Sequence, residues 1–162
     1  MNIFQPKERV NSIFKIDLQK LKEKGLTCFL MDIDNTLVPL GSNEIKKEVK
    51  DWIEFAKRSG FKICLISNSI RIWRAKNIAK TFDVPLIALA TKPFPFHFQR
   101  ALRILNATAP EAAVIGDQLF MDILGGNILK IHTILVKPMT GEMIWYRKLM
   151  RWLEEKVLNL KS

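Results

Sequence analysis

Short apolar runs alternate with amphipathic segments along most of the chain. The segments at about 44–59, 70–81, 97–107 and 119–129 have apolar residues three and four positions apart, which predicts helices. Short runs typical of buried strands lie around them, at 27–33, 61–67, 84–89, 112–117 and 132–137. Strands that alternate with helices predict a parallel sheet joined by right-handed crossovers. We therefore expect an α/β, Rossmann-like fold, with a central parallel sheet of about five strands and helices on both faces.

The ends of the chain and of one helix add detail to this pattern. Ser42 and Asn43 are good helix N-caps, and Gly60 is a good stop signal, so they predict the bounds of the helix at 44–59. Neither repeats nor low-complexity linkers interrupt the chain. We expect one domain over 1–162, with a core at about 27–138, an N-terminal helical extension at 11–24 and a C-terminal amphipathic helix at 141–160.

Composition narrows the class of partner. The chain has 162 residues, 48% of them hydrophobic, and a formal net charge of +10, which favours anionic partners such as phosphorylated small molecules, lipid headgroups or nucleic acid. The sequence contains neither a secretory signal nor an apolar run long enough to cross a bilayer. We expect a cytoplasmic protein, or one peripheral on the inner face of the membrane. Cys28 and Cys64 lie inside apolar runs and are predicted to be buried, reduced thiols.

Polar side chains follow four of the predicted strands, where ligands of open parallel sheets bind. They are Asp32, Asp34 and Thr36 after the first strand, Ser67 and Asn68 after the second, Lys92 after the third, and Asp117 and Asp122 after the fourth. A single Asp or Ser at such a position is more often a helix N-cap than a catalyst. Several carboxylates at one edge, however, would repel one another without a ligand. A divalent cation together with a phosphate group meets that need.

These residues also resemble a known family. "DIDNT", Ser67, Lys92 and "GDQLFMD" match, in order, the four motifs of the haloacid dehalogenase (HAD) superfamily of phosphohydrolases. "MDIDNTLVPLG", "ISNS", "KPFPFHFQRAL" and "IGDQLFMDILGGN" resemble the YqeG family of HAD subfamily IIIA, which includes phosphatidylglycerophosphate phosphatases. The resemblance implies the HAD fold and phosphatase chemistry.

The resemblance also implies a role for each motif residue. Asp32 would attack phosphorus and form an aspartyl-phosphate, while Asp34 would act first as general acid and then as general base. Mg²⁺ would be bound by the Asp32 and Asp117 carboxylates and the Asp34 backbone carbonyl, with Asp122 orienting metal-bound water or Lys92. Ser67 and Lys92 are also predicted to be catalytic. The residues expected to bind the phosphorylated substrate are Thr36, Ser67, Asn68, Lys92, Arg71 and Arg74.

The spacing of the motifs leaves no room for an inserted cap domain after the first motif or between the second and third. An uncapped site is open, which suits a lipid headgroup, a nucleic-acid end or a protein. Arg71 and Arg74 follow Ser67 on the next helix and either belong to a solvated face or bind a second phosphate or a lipid. Phe94 and Phe96 either pack within their loop or line the substrate entrance. His97 and His132 lack metal-ligand spacing and are predicted to be structural.

The predicted C-terminal helix allows two interpretations. Ile144, Trp145, Leu149, Trp152, Leu153 and Val157 recur at helical spacing, with basic residues largely on the other side. Such a helix either packs on the sheet or lies in a membrane interface, with Trp at headgroup depth and Lys and Arg towards anionic lipid.

The leading hypothesis is a Mg²⁺-dependent phosphomonoester hydrolase that converts phosphatidylglycerophosphate to phosphatidylglycerol at a membrane surface. A second hypothesis is a phosphatase for nucleic-acid ends or a soluble phosphoester, since charge and openness are equally consistent with it. A third is a non-catalytic module that binds anionic lipid or RNA. The complete set of motif residues argues against the third hypothesis. The oligomeric state is not predicted.

Overall fold

A six-stranded parallel sheet forms the centre of the molecule. The computed structural model describes residues 2–140, 152 and 155–156. The strands are β1 (Glu8–Val10), β2 (Cys28–Met31), β3 (Lys62–Ile66), β4 (Leu86–Ile87), β5 (Ala112–Gly116) and β6 (His132–Val136). Their order in the sheet is β1-β6-β5-β2-β3-β4, with every pair parallel. The order places β2 in the interior between β5 and β3, and it confirms the predicted α/β, Rossmann-like fold.

Helices cover both faces of this sheet. They are α1 (Leu18–Glu23), α2 (Lys47–Arg58), α3 (Ile72–Phe82), α4 (Pro95–Leu105) and α5 (Leu124–Ile128). One core cluster contains buried residues of α1, α2 and α3, and a second contains buried residues of α4. In β2, Phe29 and Met31 belong to the first cluster while Cys28 and Leu30 belong to the second. All four are buried, as expected of a central parallel strand whose residues alternate between two covered faces.

Stacked aromatic rings pack on the first face of the sheet, and two buried cysteines lie on the second. The Phe29 ring stacks on Phe61 at 4.3 Å between ring centroids and on Trp52 at 6.2 Å. On the second face, Cys28 and Cys64 are free, buried thiols, as predicted. Burial raises the pKa of Cys28 to about 11 and that of Cys64 to about 12, so both stay protonated at neutral pH and are poor nucleophiles.

Several predicted boundaries differ from the structure. The Ser42–Asn43 cap is wrong: α2 begins at Lys47, and the Ser42 hydroxyl accepts a hydrogen bond from the Glu44 amide (3.0 Å) within the preceding loop. Gly60 is confirmed as a stop, with φ of +92°. The predicted strand at 84–89 shortens to two residues because it lies at the sheet edge, where only one neighbour supplies hydrogen bonds.

One strand was not predicted, and two predicted helical segments have a different form in the structure. Strand β1 was not predicted, because three residues are too few for an alternating pattern, and it pairs with β6 at the other edge. Residues 11–24 form a 3₁₀ turn at Ile13–Lys15 followed by α1. The predicted helix at 119–129 is divided into a π-helical turn, Leu119–Ile123, and α5. Such turns occur often at functional sites.

Short connections join the elements that carry the motifs. Loops alone link β2 to α2 and β3 to α3 in the described part of the chain, so the predicted absence of a cap domain is confirmed there. Among the described residues, no helix is long and apolar enough to cross a membrane. The predicted helix at 141–160 lies almost entirely outside the described residues.

Candidate active site

A tight turn after β2 fixes the first two aspartates. The Asp32 amide donates to the Ile115 carbonyl of β5 (2.9 Å), so sheet pairing continues one residue past the strand. Asn35 then adopts φ of +62°, a conformation that Asn tolerates better than most residues. Its amide donates to the Val38 carbonyl (2.7 Å), and its Oδ1 accepts from the Thr140 hydroxyl (2.7 Å). Asn35 therefore holds the turn, a role that the motif alone did not reveal.

Three buried carboxylates converge at this edge of the sheet. Each of Asp32, Asp117 and Asp122 offers one carboxylate oxygen, and these oxygens lie within 4.8 Å of one another. Lys92 Nζ lies 2.6 Å from Asp32 Oδ1 and 2.6 Å from Asp122 Oδ1. Three carboxylates around one ammonium leave an excess of two negative charges when all are ionised. A divalent cation balances that excess, and carboxylate oxygens are the ligands that Mg²⁺ prefers, so the residues fit the predicted metal.

Burial and neighbouring charges shift the pKa values of Asp32 and Lys92. Burial raises the pKa of Asp32 to about 6, although the Lys92 ammonium opposes the shift. Burial alone would lower the pKa of Lys92, but Asp122 and Asp32 beside it hold that pKa well above its ordinary value. Lys92 therefore stays charged and holds Asp32 in one orientation.

Asn68 and a strained backbone position Lys92. The Lys92 amide donates to Asn68 Oδ1 (2.8 Å), and Asn68 Nδ2 donates to the Lys92 carbonyl (3.2 Å). Leu89 and Thr91 have φ of +50° and +43°, a region that β-branched and bulky residues rarely adopt and that costs about 1–3 kcal/mol for each residue. The peptide bond between Lys92 and Pro93 is cis. The substrate contact predicted for Asn68 stays a prediction, and its observed contacts hold the loop.

Gly116 allows Asp122 to approach the cluster. A Cβ added to Gly116 would lie 2.2 Å from Asp122 Cγ, closer than any side chain could tolerate. Asp122 Oδ2 accepts a hydrogen bond from the Gln118 amide (3.1 Å) across the π-helical turn. The glycine before Asp117 therefore has a packing reason that sequence reasoning missed, although its place in "GDQLFMD" was visible.

Asp34 lies beside a different cation. Arg74 Nη1 donates to Asp34 Oδ2 (3.2 Å), and Arg74 Nη2 lies 3.0 Å from Asp34 Oδ1. Arg74 Nε donates to the Ser42 carbonyl (2.7 Å), and the Gly41 amide donates to Asp34 Oδ1 (2.9 Å). Arg74 is only 6% exposed, so the interpretation of this residue as part of a solvated face is wrong. Its guanidinium is held at the site by the loop that follows β2.

The remaining predicted residues lie at different depths. Ser67 is buried, lines the cleft and accepts a hydrogen bond at Oγ from the Ser69 amide (3.1 Å). Thr36 is buried behind Asp32, with 3.5 Å between its hydroxyl and Asp32 Oδ2, and it is not part of the cleft lining. Arg71 is exposed and lines the cleft near Gly41. A substrate in the cleft could therefore reach its guanidinium, and the predicted contact stays a prediction.

An open cleft of about 780 Å³ connects these groups to solvent. Its polar lining combines Asp32, Asp34, Ser67, Lys92, Arg71 and Arg74, while Leu40, Ile70 and Met121 supply apolar surface. Two acids at the floor, flanked by three cations, can bind a dianionic phosphate group and exchange protons with it.

Comparison with known proteins defines the class to which this site belongs. The family described as haloacid dehalogenase-like hydrolase matches residues 4–128, and the chain belongs to that family. The fold is shared with two solved structures of low identity. An uncharacterized protein from Listeria monocytogenes serotype 4b has a TM-score of 0.59 at 23% identity, over 74% of this chain and 85% of that one. An HAD phosphatase from Thermococcus onnurineus has a TM-score of 0.52 at 19% identity, over 63% and 50%.

Within the HAD hydrolases, the chain groups with YqeG. It is 35% identical to the probable phosphatase YqeG of Bacillus subtilis (strain 168) over 96% of this chain and 90% of that protein. It is also 27% identical to the chloroplastic/mitochondrial phosphatidylglycerophosphate phosphatase 1 of Arabidopsis thaliana, over 83% of this chain but only 41% of that protein. The predicted superfamily and family are confirmed, and the prediction of an HAD-type phosphatase is supported.

Proposed function

We propose that the protein is a Mg²⁺-dependent phosphomonoester hydrolase that works through an aspartyl-phosphate and acts on phosphatidylglycerophosphate. One observation carries the chemistry: carboxylate oxygens of Asp32, Asp117 and Asp122 converge within 4.8 Å, with Lys92 between two of these residues, and Asp32 lines an open cleft. Asp32 is the member that both lines the cleft and is bound by Lys92, so it is the group that can meet a phosphorus atom.

The first step forms the covalent intermediate. A carboxylate oxygen of Asp32 attacks phosphorus, the phosphorus–oxygen ester bond breaks, and Asp34 donates a proton to the departing alkoxide. Lys92 and the Ser67 hydroxyl bind phosphoryl oxygens as charge moves onto them. Asp34 must hold a proton at this stage. Arg74 contacts both carboxylate oxygens of Asp34, and we expect it to turn towards the incoming phosphate.

The second step regenerates the enzyme. Asp34 takes a proton from a water molecule, the water oxygen attacks phosphorus, and the bond to the Asp32 oxygen breaks to release inorganic phosphate. Mg²⁺ would be held by the Asp32 and Asp117 carboxylates with the Asp34 backbone carbonyl, and it would supply positive charge that stabilises the transferring phosphoryl group. Asp122 keeps Lys92 oriented throughout both steps.

Two observations favour a lipid phosphomonoester as substrate. The cleft is open, so it accepts a headgroup that is still anchored in a membrane, and the net charge of +10 attracts anionic surfaces. The plant relative is named for phosphatidylglycerophosphate. We propose the same substrate here, with the protein peripheral on the membrane.

Phosphate release decides between the candidate substrates. Phosphatidylglycerophosphate in mixed micelles should be turned over faster than soluble phosphoesters and DNA 3′- or 5′-phosphates, and chelation of Mg²⁺ should abolish turnover. Turnover of a soluble ester or of a DNA end without turnover of the lipid would overturn the substrate assignment. Full activity in excess chelator would overturn the role of the metal.

A further inference from the structure

Five large apolar side chains are exposed on the loops and helix starts that follow β3 and β4. We call Ile70, Trp73, Leu89, Phe94 and Phe96 the apolar rim, and their exposed fractions are 86%, 76%, 44%, 67% and 58%. Single exposed apolar residues are common on proteins, but a group of this size beside a functional cleft indicates a docking surface. Among them, Ile70 also lines the cleft itself.

Hydrogen bonds hold the two segments of the apolar rim side by side. One segment follows β3 and leads into α3, and the other follows β4 and leads into α4. The Ala90 amide donates to the Ser67 carbonyl (2.9 Å), and the reciprocal Asn68–Lys92 bonds join the same two loops. Both segments of the apolar rim therefore lie at the carboxyl edge of the sheet, beside the residues proposed to carry out the reaction, although α3 and α4 pack on opposite faces.

Basic residues follow the apolar rim on the same helix faces. Trp73 is three positions before Lys76 on α3, and Phe96 is four positions before Arg100 on α4, spacings that place each pair on one helix face. Lys76 and Arg100 are both exposed. In residues 68–106 the only acid is Asp83, at the far end of α3. Each helix thus begins with an exposed aromatic side chain and continues with a cation about one turn further from the edge.

The spacing of this pattern matches a bilayer surface. Three to four residues of helix span about 4.5–6 Å, and the headgroup layer of one leaflet is about 5–7 Å thick. Aromatic and aliphatic side chains that reach the acyl boundary would therefore leave Lys76 and Arg100 level with lipid phosphates. We infer that the apolar rim docks onto an anionic membrane surface and thereby sets the open cleft against the headgroups.

Charge distinguishes this occupant from two others. A second copy of the chain, docked through the same patch, would bring Arg71, Lys76 and Arg100 against their own equivalents without acids to offset them. Nucleic acid suits aromatic and basic residues, but Ile70 and Leu89 offer no ring on which a base can stack. An anionic lipid surface satisfies the cations and the aliphatic side chains together.

Vesicle binding tests the inference. The 162-residue protein is centrifuged with vesicles of phosphatidylcholine, with and without phosphatidylglycerol. The Trp73→Ser/Phe94→Ser double variant is compared with a Phe14→Ser/Phe55→Ser control. The control replaces two exposed aromatic residues, Phe14 on the first 3₁₀ turn and Phe55 on α2. The variant of the apolar rim should bind the anionic vesicles at least about tenfold more weakly than the control and wild type, since each ring loses apolar burial.

Other outcomes would overturn the inference. Equal binding by both double variants, or no binding by wild type, would exclude the apolar rim as a lipid surface. Self-association in sedimentation velocity that only the variant of the rim abolishes would assign the surface to a second copy. Binding to single-stranded DNA or RNA that exceeds vesicle binding and depends on Trp73 and Phe94 would assign it to nucleic acid.

The inference rests on the proposed function only in taking the substrate to lie at a membrane. Turnover of p-nitrophenyl phosphate separates the two, because neither Trp73 nor Phe94 lines the cleft and both double variants should match wild type. Normal turnover without vesicle binding would contradict the proposed docking surface but not the proposed phosphatase chemistry. Vesicle binding through the apolar rim without turnover of any phosphoester would support the docking surface and contradict the proposed phosphatase function.

Discussion

Asp32 and Asp34 both follow strand β2 and are separated by one residue, but they lie in different electrostatic surroundings. Asp32 shares the ammonium of Lys92 with Asp122 and lies against Asp117 as well, so its neighbourhood has an excess of negative charge. Asp34 faces the guanidinium of Arg74, which contacts both of its carboxylate oxygens. Lysine is a point charge that two acids can share, whereas arginine is a planar fork that grips one carboxylate.

This difference divides the site into two halves with separate tasks. The Asp32 half has an excess of two negative charges, which suits a divalent cation. The Asp34 half is neutral, which suits a group that must gain and lose a proton while substrate comes and goes. Variants that damage one half should therefore leave a recognisable property of the other half intact.

Replacement of Asp32 should have the largest effect. Asp32→Asn should lower phosphatase activity by about four orders of magnitude or more, because the proposed nucleophile is lost. Asp34→Asn is the matched change in the other half, and it should lower activity by about 10²–10⁴-fold through loss of the proposed general acid and general base. Rapid acid quench with labelled p-nitrophenyl phosphate, whose leaving group needs no protonation, distinguishes the two, since label should stay on the Asp34→Asn protein and be absent from Asp32→Asn. Label on Asp32→Asn would contradict the covalent role.

Replacement of Asp117 should remove the metal without disturbing Arg74. Mg²⁺ should raise the melting temperature of the wild-type protein by binding the folded state. Asp117→Asn should weaken Mg²⁺ binding by more than about tenfold, judged by isothermal titration and by loss of that thermal shift. Arg74→Met should keep the shift, because its contacts lie on the Asp34 half. Equal losses in both variants would show that the two halves are not separate.

A methyl group on Gly116 should disturb the Asp32 half indirectly. Gly116→Ala should push Asp122 away from Lys92 and lower activity by about a hundredfold, since an incorrectly placed donor at a phosphoryl group has an effect of this size. In an Asp122→Gly background, the Gly116→Ala change should add little further loss, because the colliding carboxylate is gone. Full additivity of the two changes, measured as kcat/KM, would mean that Gly116 acts by another route.

The sequence was sufficient for the fold and for the residues gathered at the site. Strands β2, β3, β5 and β6 have strong apolar runs, and the motif residues follow β2, β3, β4 and β5, so topology alone brings them to one edge. It was insufficient for β1, which is three residues long and owes its existence to pairing with β6. It was also insufficient for the π-helical turn, since apolar spacing cannot tell one helical turn from another.

The contacts between the site residues were harder to predict from the sequence than the identity of those residues. Nothing in the motifs shows that the Asn68 side chain bonds the Lys92 backbone, or that Gly116 is required by Asp122, because both depend on loops that follow different strands. Arg74 is the clearest example. Its position on α3 allowed either a solvated face or a substrate contact, and only the path of the loop at Gly41 and Ser42 brings its guanidinium to Asp34.

Replacement of Arg74 should have the smallest effect on turnover and a distinct effect on stability. Arg74→Met should lower kcat/KM by about 10–100-fold, since one cation is lost from the phosphate site. It should also lower the free energy of unfolding by about 1–3 kcal/mol, because Asp34 is left nearly buried without its guanidinium partner. Denaturant unfolding measures this, with Arg71→Met as control: Arg71 is exposed, so its loss should not change stability. If Asp34→Asn is introduced into Arg74→Met, the unpaired charge disappears and much of the lost stability should return. A double variant no more stable than Arg74→Met would show that the ion pair does not account for the burial of Arg74.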